Sequence, residues 1–109
     1  MTFKISVPDE VRELDWEGYT VRVYVVGGRP YASYRDVCAA VCITVEGRFD
    51  FALKECLDTV MVVGDDYNVM DTGMSTEDVI DMCLDYCWAP GFSKWYRREA
   101  AAIEERSKV

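Results

Sequence analysis

Apolar and polar positions alternate at the start of the chain, with Phe3, Ile5 and Val7 set against Lys4 and Ser6. A period of two predicts a short β-strand over 3–7, stopped by Pro8-Asp9. Residues 9–17 are acidic and irregular, and Val11, Leu14 and Trp16 are the apolar material for a second short element. From Tyr19 to Val26 the alternation is strong. Tyr19, Val21, Val23 and Val25 share one face, and Thr20, Arg22, Tyr24 and Val26 the other. Gly27-Gly28 supplies the positive φ angles of a two-residue hairpin loop. Arg29-Pro-Tyr-Ala then returns as a strand, where Pro30 suits an edge or a strand start.

The period changes at Ser33. Ser33 and Asp36 have the spacing of a capping box and open a helix predicted over 34–43. Val37, Cys38, Val41 and Cys42 line one side of it, while Ala39, Ala40 and Ile43 leave the rest largely apolar, the pattern of a buried helix. Gly47 breaks it, and Phe49, Leu53, Cys56 and Leu57 predict a second helix over 49–57. Residues 59–63 read as a strand, Gly64-Asp65-Asp66 as a turn and 67–70 as a returning strand, which makes a second hairpin. Ser75 with Asp78 marks another helix start, and that helix runs to 88. Val79, Met82, Cys83, Tyr86 and Cys87 fall in one arc, and Glu77, Asp78, Asp81 and Asp85 mostly on the other side. Pro90-Gly91 ends it. A last helix over 92–106 turns Phe92, Trp95, Tyr96 and Ile103 inward and Lys94, Arg97, Arg98, Glu104 and Glu105 outward. The expected architecture is α+β, a single domain over 1–109: an N-terminal β-hairpin sheet, two helices, a second β-hairpin and two C-terminal helices.

Composition agrees with one ordinary core, since 109 residues that are 50% hydrophobic and 13% aromatic suit one domain. No apolar run approaches the roughly eighteen residues of a membrane helix. The first residues lack a basic region followed by a long apolar stretch, so a cytoplasmic site and no membrane partner are expected. The five cysteines, Cys38, Cys42, Cys56, Cys83 and Cys87, make an odd number that argues against a disulfide framework. Cys38/Cys42 and Cys83/Cys87 each stand one helical turn apart and could present four thiolates to zinc. The CxxC spacing is absent, however, and core packing is the plainer role of such cysteines.

Histidine is absent, which removes Cys-His and Ser-His dyads and the commonest general base near neutral pH. Gly27-Gly28 lacks the frame of a phosphate loop and precedes a strand rather than a helix. Asp65-Asp66 sits where turn chemistry alone favours aspartate. No enzymatic activity, catalytic residue, metal or cofactor is therefore expected.

Charge is the residual feature. The formal net charge is −8, and from Glu55 to Ser93 there are nine acidic residues and no basic one. Glu77, Asp81 and Asp85 stand about 6 Å apart per helical turn, with Asp65, Asp66 and Asp71 upstream and Asp78 beside them. These seven are the candidate docking residues for a partner with a basic surface, such as a nucleic-acid-binding protein. A solvated face that maintains solubility is the plainer account. Lys94, Arg97 and Arg98 are the alternative candidates, for contact with nucleic-acid phosphates, although a strongly acidic chain starts with that term against it. An exposed apolar stripe would also suit a homodimer.

The stretch Val21-Arg-Val-Tyr-Val-Val-Gly-Gly-Arg-Pro-Tyr-Ala-Ser-Tyr-Arg-Asp-Val-Cys38 resembles the opening of the Bro-N and phage antirepressor N-terminal domains. There a strand, a Gly-containing turn, an aromatic plus small residue and an Asp-Val pair open a helix; here these are Gly28, Tyr31, Ala32, Asp36 and Val37. Phe92-Ser-Lys-Trp95-Tyr-Arg-Arg-Glu99-Ala resembles the closing helix of that family. The resemblance spans roughly 19–105, and its motifs are mainly structural. It implies a phage or large-virus regulator that binds DNA or disables a repressor, acting in the host bacterial cytoplasm. The chain departs from the family in its acidic middle, in the apolar Val41-Cys42-Ile43 where a glycine is common, and in lacking the further C-terminal domain. Those departures favour a small inhibitor of a host or phage protein over direct DNA binding.

Overall fold

A computed structural model describes residues 2–41, 58–64, 68–85 and 89–107. The helix expected over 49–57 and the turn residues Asp65-Asp66 lie outside the described residues. Among the described residues the elements run β1 (Thr2–Ser6), β2 (Glu10–Trp16), β3 (Tyr19–Val26), β4 (Arg29–Ser33), α1 (Tyr34–Ala40), β5 (Asp58–Val63), β6 (Val69–Met74), α2 (Thr76–Asp85) and α3 (Pro90–Ser107). The class is α+β, with one described helix between β4 and β5 and the two expected after β6, but the two expected hairpins are parts of a single six-stranded sheet.

All six strands form one sheet in the order β1-β5-β6-β4-β3-β2. β1 lies parallel to β5 and the other neighbours are antiparallel. The irregular acidic stretch turns out to be a full strand, with β2 paired to β3 from Glu10↔Val25 to Trp16↔Tyr19. Its turn is Glu17-Gly18 at φ 48° and 90°, and Gly27-Gly28 repeats the pattern at 59° and 80°. Both are the two-residue loops whose twist matches that of the strands they join.

The two halves of the sheet meet at a short seam, Ala32↔Met74 and Ser33↔Gly73. A Cβ on Gly73 would stand 2.8 Å from the Tyr31 Cβ, so only glycine allows this approach. Val7–Asp9 alone joins β1 to β2, the strands at opposite ends of the sheet. Five inter-strand steps in a flat sheet span about 24 Å, whereas the chain from Ser6 to Glu10 reaches about 14 Å. The sheet is therefore strongly coiled, and its two edges converge at this link. There Asp9 donates its backbone N–H to the Val25 carbonyl (2.8 Å), and its side chain accepts from the Gly27 N–H (2.9 Å).

Helices cover one face of the sheet. Val21, Val23, Val25, Ala32 and Met74 pack there with Val37 and Cys38 of α1, Val79, Met82 and Cys83 of α2, and Phe92, Tyr96, Ala100 and Ile103 of α3. Tyr24, Tyr31, Val60 and Val62 make a second buried cluster on the opposite face. β3 is buried on both sides, hence its near-continuous apolar run.

Several element boundaries shift. α1 ends at Ala40, and its Arg35 and Ala39 are exposed, so it is buried on one side rather than all round. β6 occupies 69–74 rather than 67–70, because Asp71 and Gly73, which look like turn residues, are buried strand positions. Pro90-Gly91 opens α3 instead of closing the preceding helix. The Ala89 carbonyl accepts the Ser93 N–H (3.0 Å), and proline is at home in a first helical turn, where its missing N–H has no partner to lose. The radius of gyration, 12.9 Å, matches the roughly 13 Å of a compact chain this long.

Candidate functional site

Ser75 starts α2 as the spacing predicts, its hydroxyl accepting the Asp78 N–H at 3.3 Å. Val79, Met82 and Cys83 then point into the core. The opposite side presents Glu77, Asp81 and Leu84, all exposed, along one line at helical spacing. Asp78 departs from the expected face. It is 2% exposed, because it precedes Val79 directly and lies one turn before Met82, at the margin of the buried arc. Asp71 departs further, at 8% exposed, inside the sheet. Asp65 and Asp66 lie outside the described residues, as does the side chain of Asp85. The acidic docking face therefore reduces, among described side chains, to Glu77 and Asp81 with Leu84 beside them.

Asp71 belongs instead to a polar network that sequence reasoning missed. Arg22 projects from β3 on the face away from the helical core. Its Nε donates to Asp36 Oδ2 (2.8 Å), its Nη2 to Asp36 Oδ1 (3.1 Å), and its backbone N–H to Asp36 Oδ2 (2.9 Å). The local reason is topological. β4 ends at Ser33, one residue beyond its pairing with Val23, so the Arg22 N–H loses its strand partner and the first turn of α1 replaces it. Ser33 caps that turn, accepting the Asp36 N–H at 3.2 Å. The guanidinium also lies 3.7 Å from Asp71 Oδ2, which accepts the Tyr24 hydroxyl at 2.8 Å. Asp71 Oδ1 accepts the Thr72 N–H at 2.8 Å.

This network ties β3, α1 and β6 together. Hydrogen bonding to Asp36 holds the Arg22 guanidinium more firmly protonated than usual. Burial pushes the Asp36 pKa up, but the bonds from Arg22 outweigh it and leave the carboxyl below its ordinary value. Burial, then the hydrogen bond to Asp71, raises the Tyr24 phenol. Within it Asp36 and Asp71 each accept more than one hydrogen bond. A signal was legible in the sequence: arginine and tyrosine two apart in the run 21–26, otherwise made of valine.

The basic candidates Lys94, Arg97 and Arg98 are all exposed on α3. Their aromatic neighbours are committed to packing. Trp95 stands 5.1 Å from Trp16 and 5.3 Å from Phe92 between ring centroids, and Phe92 lies edge-on to Trp16 at 5.5 Å. Tyr96 is fully buried. Cys38 and Cys83 are buried in the apolar cluster, and among the described residues no group of three or more acidic or cysteine side chains is placed to hold a metal. No described helix is long and apolar enough to cross a membrane. Comparison of the chain with protein-family models, curated proteins and solved structures found no match.

Proposed function

We propose that this chain is a small phage-type regulatory or inhibitory protein, of the antirepressor or anti-host-defence class, that acts in a bacterial cytoplasm by docking a protein with a basic surface. The observation that carries this is the outward line of α2. Glu77, Asp81 and Leu84 are exposed together, and no lysine or arginine occurs between Glu55 and Ser93. Two carboxylates beside an exposed leucine supply both parts of a modest interface, electrostatic steering and an apolar contact. The resemblance of 21–38 and 92–100 to Bro-N and phage antirepressor domains points to the same class of regulator.

The test is charge reversal. The chain carrying Glu77→Lys, Asp81→Lys and Asp85→Lys should retain its circular dichroism and melting transition and lose the host proteins retained by the original chain in a pull-down from bacterial lysate. An unchanged set of retained proteins would remove α2 as the docking face. The exposed row Lys94, Arg97 and Arg98 favours a second reading, a DNA-binding module. Its mark is retention of duplex DNA at low salt that falls steeply as salt rises and disappears when the three are changed to alanine.

A further inference from the structure

We draw no further inference here: the strongest candidate, the exposed apolar side chains on the β1-β5-β6 half of the sheet (Ile5 of β1, Val69 and Met70 of β6), carries nothing, because nothing in the structure shows what covers them.

Discussion

Arg22 and Asp36 show how one residue can replace a missing strand partner. Asp36 accepts both the backbone and the side chain of Arg22, and its carboxyl has a lowered pKa in the fold. A depressed acid stabilises the fold fully above its unfolded pKa, about 4, and that stabilisation drains away as pH falls through the lower folded value. Asp36→Asn should therefore lower stability by about 1–3 kcal/mol at neutral pH. It should also flatten the acid limb of a stability–pH profile measured by urea unfolding; an unaltered acid limb would show that another carboxylate controls it. Gly73 is the second residue on which much depends. With the Tyr31 Cβ at 2.8 Å from an added methyl, Gly73→Ala has to push the seam between β4 and β6 apart. A loss of about 1–3 kcal/mol is expected, and a melting temperature equal to that of the original chain would mean that the seam can open freely.

Element by element, the hairpins were more legible than the strands that close the sheet. The β3–β4 hairpin and both serine caps follow from local pattern, because alternation, Gly-Gly and Ser-x-x-Asp are short-range signals. The inward positions of β2 include Arg12, which blurs its alternation, and in β6 Asp71 and Gly73 carry the marks of a turn. Both are strands because of the residues they pair or pack with: Val21, Val23 and Val25 across the hairpin for β2, and the distant Tyr24 and Tyr31 for β6. The β2–β3 turn adds a prediction at this scale. Glu17 holds φ 48° with a side chain that disfavours it, whereas asparagine tolerates that region. Glu17→Asn should stabilise the chain by roughly 0.5 kcal/mol on the scale of such backbone strain, read as a higher urea midpoint with unchanged slope. A lower midpoint would place the side chain of Glu17 in a role of its own.

For the whole molecule, a net charge of −8 on 109 residues sets acidic groups repelling one another in the compact state. Raising ionic strength shortens the screening length from about 30 Å at 0.01 M to about 8 Å at 0.15 M. The melting temperature at neutral pH should rise over that interval, and calorimetry that finds a fall would mean that ion pairs such as Arg22–Asp36 outweigh the general repulsion.

Pattern along the chain determined the class of the fold, most of its elements, their caps and the acidic character of α2, because these depend on neighbours within a few positions and on composition. Tertiary structure decided which acids face water. Asp71 and Asp78 are drawn inside, while Glu77 and Asp81 remain outside. It also decided that β1 pairs with β5 and stands first in the strand order, far from β2, its neighbour in sequence. Strand order and side-chain burial arise from contacts between residues tens of positions apart, and a local period carries no record of them.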